Sequence, residues 1–240
     1  MKLPAIHGYI DRRILVNFTA DPDTVRKIIP APFRPKLYNG KAIVGICLIR
    51  LKNIKPKGWP DFTGIASENG AHRIAVEWEE NGMVKGGVYI PRRDTSLRLN
   101  ALVGGRVFPG RHYLATFNVQ EGGGNYHVDF TSSDNTHISI DARQTDQFDR
   151  GSVFGTLEDA SGFFEKGDIG YSPNRGRYEG LALKTYTWQV RPLQVTDVRS
   201  SFFEDETIFP KGTIQFDNAL LMTGTEHEWH TLGDKQDEAA

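Results

Sequence analysis

Apolar and polar residues alternate over short runs through most of the chain, the period of two that half-buried strands require. His72, Ile74, Val76 and Trp78 share one side of a strand that ends at Glu80-Asn81-Gly82. Asn-Gly between two such runs is a strong hairpin signal, so Met83 to Ile90 is predicted to return alongside. Tyr113, Ala115, Phe117 and Val119 form a second hairpin with Tyr126, Val128 and Phe130 across the turn Glu121 to Asn125. Further strands are predicted at Ile14 to Phe18, Ala42 to Leu51, Lys184 to Val198 and Thr213 to Met222. Helical signals are few. Asp21-Pro22-Asp23 caps a short helix through Val25, Ile28 and Ile29 that must stop near Pro30 and Pro32. Thr156 with Asp159 forms an imperfect capping box for a second helix through Ala160, Phe163 and Phe164, closed by Gly167. No repeat, linker or composition shift marks a boundary. The pattern predicts one mainly β, largely antiparallel domain over residues 1–240, with two short helices and a frayed charged tail from about residue 231.

A chain of 240 residues buries a core without disulfides or metals. Its 29 Lys and Arg against 30 Asp and Glu leave a net charge of −1, which gives no electrostatic footprint for nucleic acid or an anionic membrane. The N-terminal stretch MKLPAIHGYIDRR is broken by proline, histidine and aspartate, and no apolar run approaches spanning length. The single cysteine, Cys47, sits in AIVGICLI, the setting of a small buried hydrophobe. These features predict a soluble, cytoplasmic protein with neither nucleic-acid nor membrane partners.

Against this neutral background, Tyr89 to Arg111 carries five arginines. An alternating strand from Arg92 to Ala101 would place Arg92, Asp94, Ser96, Arg98 and Asn100 on one face and Thr95, Leu97, Leu99 and Ala101 on the other. Guanidinium groups are permanently charged forks of donors. Two or three aimed into one hollow make a site for a carboxylate, a phosphate or an enolate oxygen. The alternative is a solvent-facing row. Adjacent strand residues face opposite sides, so the sequence leaves open whether Arg92 or Arg93 points inward.

Other candidates weigh less. Gly122-Gly123-Gly124 lacks the strand, helix and lysine of a phosphate loop. His227 and His230, with Glu226 and Glu228, have the spacing of two metal ligands, but no third ligand is identifiable and a docked tail anchored by Trp229 is the simpler reading. His72 reads as a core histidine, His112, His127 and His137 fall in or near strands where the sequence alone identifies no partner, and Glu77 and Glu79 read as a solvated face. No nucleophile elbow occurs. No metal and no cofactor are predicted.

The blocks DRRILVNFTADPDTVRKIIPAPFRPKLYNGKAIVGICLIRL, SENGAHRIAVEW, GVYIPRRDTSLRLNALVGGRVFPG, FDNALL and HEWH together resemble an uncharacterised bacterial family, YqjF-like, of the acetoacetate-decarboxylase-like superfamily. The resemblance implies a curved antiparallel sheet closed into a cone or barrel around an internal cavity, with a few short helices. The decarboxylase forms a Schiff base through a lysine beside a second lysine. The corresponding stretch here, Arg92 to Asn100, contains no lysine, and an arginine stays too basic to replace one. A Schiff-base acetoacetate decarboxylase is therefore not expected. Glu68, in SENG, matches a glutamate that resembles the decarboxylase's active-site acid.

The expected site accordingly has Glu68 and Arg98 as catalytic residues, with Arg92, Arg93, Asp94, Ser96 and Asn100 binding a small anionic organic ligand. On that reading the protein binds a small carboxylate or keto acid, and any chemistry runs through an enol or enolate held by arginine. The alternatives are a non-catalytic binding or sensing protein and a dimeric structural module. A homo-oligomer is left open.

Overall fold

The computed structural model describes residues 5–98 and 109–236. Its strands, in chain order, are β1 (Ile6–Ala20), β2 (Arg34–Pro35), β3 (Leu37–Tyr38), β4 (Lys41–Pro56), β5 (Ile65–Glu80), β6 (Met83–Thr95), β7 (His112–Gly122), β8 (Asn125–Ser132), β9 (His137–Gln144), β10 (Ile169–Asn174), β11 (Arg177–Thr185), β12 (Arg191–Ser200), β13 (Ile214–Thr231) and β14 (Lys235–Gln236). The helices α1 (Pro22–Arg26) and α2 (Leu157–Glu165) are both short. The mainly β architecture expected from the alternation is present, as is the closed sheet with few helices that the family resemblance implies. No helix among the described residues is long and apolar enough to cross a membrane.

Local chemistry sets these elements. Between β5 and β6, Asn81 and Gly82 take φ of 52° and 72°, the left-handed pair that a two-residue hairpin needs. Asp21 accepts from the Thr24 backbone at 2.8 Å to cap α1, and Thr156 accepts from that of Asp159 at 3.1 Å to cap α2. α1 ends at Arg26, so Ile28 and Ile29 lie in the turns beyond it rather than in the helix.

Three predicted strands have different limits. Lys184 to Val198 is split, because the chain leaves the sheet after Thr185 and Trp188 reaches across to donate to Ser161 Oγ on α2 at 2.9 Å. The expected strand to Ala101 stops at Thr95, where Thr95 Oγ1 accepts from the Leu97 backbone in a turn. The HEWH segment is part of β13, paired with β1 and β11. The described part of the tail is docked rather than frayed: β14 pairs with β11, and Lys235 bonds Glu80 at 2.7 Å.

Pairing closes two circuits that share β13, β1, β4, β5 and β6. The first continues through β7, β8, β9 and β12 and returns to β13; the second leaves β6 by β10 and returns through β11. Most pairs are antiparallel, but β6 runs parallel to both β7 and β10. Alternation along the shared strands assigns one face to each circuit. Ile14, Val16, Val44, Ile46, Leu48 and Ile74 meet Val128, Phe130, Ile138 and Ile140 in the main apolar core, which fills the first circuit. Leu15, Ile43, Cys47, Ala71, Ala75 and Ile90 face the second circuit and pack with Phe164 of α2. Large side chains fill one barrel, whereas small ones at Ala71 and Ala75 leave space in the other.

Candidate functional site

That space is a cavity of about 130 Å³ within the second circuit, under α2. β1, β4, β5 and β6 each supply a polar group to it: Arg13, Cys47, Arg73 and Arg93. Register brings them together, since Cys47 is opposite both Leu15 and Ala71, and Ala71 is opposite Arg93. Lys36, Asn69, Asp94, His112 and Asp168 complete the polar lining, and Phe163, Phe164, Leu181 and Trp229 contribute apolar wall.

The three arginines are fixed mainly by neutral partners. Arg13 Nη2 donates to Cys47 Sγ at 3.6 Å, and its guanidinium lies 5.9 Å from the Trp188 ring. Arg73, 4% exposed, donates to Asn17 Oδ1 and stacks 4.7 Å over Phe164. Asn17 in turn donates to Asn218 Oδ1 at 2.7 Å. Arg93 Nε donates to Ser172 Oγ at 3.0 Å. Among the described residues none of the three has a carboxylate at ion-pair distance. Buried Nε and Nη1 of Arg13 and Nε of Arg73 have no hydrogen-bond partner there either. Burial pushes the Arg93 pKa down to about 10 and lowers that of Arg73, and the nearby Cys47 sulfur only partly opposes the fall in each. Burial raises the Cys47 thiol, but the charges of Arg13 and Arg73 outweigh it and leave its pKa lowered. His112 is pushed down to about 3 by burial and by Arg93, so it stays neutral. Lys36 is lowered by burial and by Lys166, while its ammonium sits 4.7 Å over the Phe163 ring.

The expected site residues divide between the two faces of the sheet. Arg93 lines the cavity. Its neighbour Arg92 turns the other way and makes bonds of 2.7 Å to Asp94 and 2.6 Å to Asp134. Asp94, fully buried, borders the cavity, but its carboxylate is committed to Arg92 and to Ser132 Oγ at 2.6 Å. Burial raises its pKa and those hydrogen bonds oppose the rise.

Glu68 was expected beside Arg98. It pairs instead with Arg12 and Arg50, which both also contact Glu121. Gly70, two residues on, backs onto Phe130, so this charged cluster faces the first circuit, away from the cavity. Ser96 is exposed and ties the end of β6 to Glu68, its Oγ accepting from the Glu68 backbone at 3.0 Å. Arg98 is exposed and lies beyond the end of β6, not on a strand face turned into the hollow. Asn100 lies outside the described residues.

Among the described residues no three His, Cys, Asp or Glu side chains converge as a metal site. His227 is fully buried in β13 and His230 pairs with Glu228 at 3.1 Å, so the two do not act as a ligand pair. Sequence reasoning missed Arg13, Arg73 and Lys36. A signal was present for Arg73, which is flanked two residues away on both sides by alanine. A charge between small residues on one strand face marks a place where that face is not packed.

Solved structures with this fold are far apart in sequence. The acetoacetate decarboxylase from Legionella pneumophila subsp. pneumophila str. Philadelphia 1 aligns over 96% of this chain and 88% of its own, with a TM-score of 0.59 and 11% identity. An acetoacetate decarboxylase-like enzyme from Sphingomonas wittichii RW1 aligns over 98% and 94%, at TM-score 0.62 and 8% identity. The enduracididine biosynthesis enzyme MppR, complexed with pyruvate, aligns over 98% and 91%, at 0.56 and 13%. None of the curated proteins matches the sequence. The DUF2071 profile, described as an uncharacterized conserved protein, matches residues 10–219. The chain therefore belongs to the DUF2071 family and has the acetoacetate-decarboxylase-like fold.

Proposed function

We propose that this protein binds a small organic carboxylate, of the keto-acid class, in the cavity of the second circuit, with Arg13, Arg73 and Arg93 as the groups that hold the anion. One observation carries the reading: three guanidinium groups line one cavity and, among the described residues, none has a carboxylate at ion-pair distance; of the two carboxylates on the lining, Asp94 is held by Arg92 and Ser132 and Asp168 is exposed. Burying a charge without a partner costs several kcal/mol, roughly, and an anionic ligand removes that cost. The apolar wall of Phe163, Phe164 and Leu181 suits a ligand with a short hydrocarbon part. The pyruvate complex of MppR, a protein of the same fold, adds support for this ligand class.

On this reading Glu68 is not the proton-moving group, because Arg12 and Arg50 hold it on the other face. The test is the shift in melting temperature with pyruvate, acetoacetate and citrate, against a neutral analogue such as acetone. A carboxylate that binds the native state raises Tm in a concentration-dependent way. Equal responses to pyruvate and acetone would sink the assignment.

A further inference from the structure

We propose that Cys47 is a nucleophile in this cavity, adding through its sulfur to the carbonyl carbon of a 2-oxo acid whose carboxylate is held by Arg13 and Arg73. The inference rests on the carboxylate-binding reading and extends it from binding to reversible covalent capture.

Two independent observations support it. The first is the setting of the sulfur: Cys47 lines the cavity, and Arg13 Nη2 reaches it at 3.6 Å. A cysteine packed only among aliphatic groups is inert, whereas one beside guanidinium groups gains thiolate character. The second concerns Arg73. It is 4% exposed, lines the same cavity and keeps a buried Nε without a hydrogen-bond partner among the described residues. Its contacts with Asn17 and the Phe164 ring are neutral, and it also reaches the Cys47 sulfur itself, so its charge faces the position an anion would take beside that sulfur. An anion placed between Arg13 and Arg73 lies beside the sulfur, because both residues flank Cys47 across β4. In a 2-oxo acid the electrophilic carbon is bonded directly to the carboxylate, so holding one presents the other. Leu15, Ile49, Ala71 and Phe164 add apolar lining to the same cavity.

The step balances without a further reactant. A sulfur–carbon bond forms, the carbonyl π bond opens, its electron pair goes to oxygen, and that oxygen takes up the proton the thiol gave up. The product is a thiohemiketal, and the reverse step releases the 2-oxo acid unchanged.

The test uses the native protein. Cys47 labelling by iodoacetate and by neutral iodoacetamide is followed by intact mass, with and without saturating pyruvate, and the Tm shift with pyruvate is measured in parallel. The expected result is that iodoacetate labels Cys47 roughly tenfold faster than iodoacetamide, the factor that about 1.4 kcal/mol of carboxylate recognition gives. Pyruvate is expected to suppress the labelling. Pyruvate carrying carbon-13 at its carbonyl is expected to show a tetrahedral-carbon resonance that Cys47→Ser and Cys47→Ala lose while keeping the Tm shift. A Tm shift with no tetrahedral resonance, or with iodoacetamide labelling at least as fast as iodoacetate, overturns the role of the thiol and leaves carboxylate binding standing. No Tm shift and no labelling overturns both.

Discussion

Arg92 and Arg93 are adjacent in β6 and serve opposite faces of one sheet: Arg92 is held between Asp94 and Asp134, while Arg93 lines the cavity and donates to the neutral Ser172. The same division recurs in β1. Arg12 joins Glu68 and Glu121 on one face, and Arg13 lines the cavity on the other. Arg92 and Arg12 are paired with carboxylates of the chain; among the described residues Arg93 and Arg13 are not.

This difference separates stability from binding. Arg92→Ala leaves the fully buried Asp94 without its cation and is expected to destabilise the fold by about 3 to 5 kcal/mol. Arg93→Ala removes a desolvated charge that has no carboxylate partner among the described residues, so stability is expected to hold or rise while the Tm shift with pyruvate is lost. Urea denaturation and ligand-dependent melting of both variants check this. A full pyruvate response in Arg93→Ala would remove that residue from the site.

Glu68 is expected to behave as a structural residue. Glu68→Gln leaves Arg12, 2% exposed, with Glu121 alone, at an expected cost of about 2 to 3 kcal/mol, and the pyruvate response is expected to survive. Arg98, being exposed, is expected to tolerate Ala within about 0.5 kcal/mol, also without effect on the response. Loss of the response in Glu68→Gln at unchanged stability would restore the ligand-side role for this acid.

How far these roles could be read from the sequence differs between strands and faces. Period-two alternation found the strands around His72 to Glu79 and Met83 to Ile90, because each buries one continuous row. Asn81-Gly82 fixed their hairpin, since few other pairs accept two left-handed residues. Closure into two circuits was not readable. It depends on β10 returning beside β6 and on β11 pairing with β13, contacts far apart in sequence. Without them, the second face of the shared strands has no visible purpose, and Arg13 and Arg73 look like ordinary surface charges. The row begun at Arg92 holds only as far as the strand does: β6 ends at Thr95, so Arg98 has no sheet face to occupy.

Two buried histidines, His72 and His227, and the partly buried His112 make the fold sensitive to mild acid. Burial pushes His72 and His112 down to about 3 and His227 to about 4, so each is neutral when folded. In the unfolded chain each takes up a proton near pH 6.5. The unfolded state thus binds more protons below that pH, and stability falls as pH drops from about 6.5 towards 4. Each histidine is expected to account for roughly 2 kcal/mol between pH 6.5 and 5. Urea titrations at about pH 7 and pH 5 measure the slope, and His227→Leu is expected to flatten it by one histidine's share. Identical stabilities at the two pH values would contradict the burial of neutral imidazoles.

The last prediction concerns Schiff-base chemistry. β6, the strand that should carry the lysine pair, offers Arg92 and Arg93 instead, and neither guanidinium becomes a neutral amine in water. The lysine that does line the cavity is Lys36, between β2 and β3. Its pKa is lowered by burial and by Lys166, the two influences that activate an amine. A third acts against them: the face of Phe163 lies 4.7 Å from the ammonium and favours its charged form. The charged form cannot attack a carbonyl. We therefore expect neither decarboxylation of acetoacetate nor a stable lysine adduct after treatment with acetoacetate and sodium borohydride, and Phe163→Ala is the variant in which an adduct should first emerge. Intact mass and carbon dioxide release decide it: in the unaltered chain, a borohydride-stable adduct on Lys36, with carbon dioxide formed above the uncatalysed rate, would show that the cavity runs amine chemistry from a different strand.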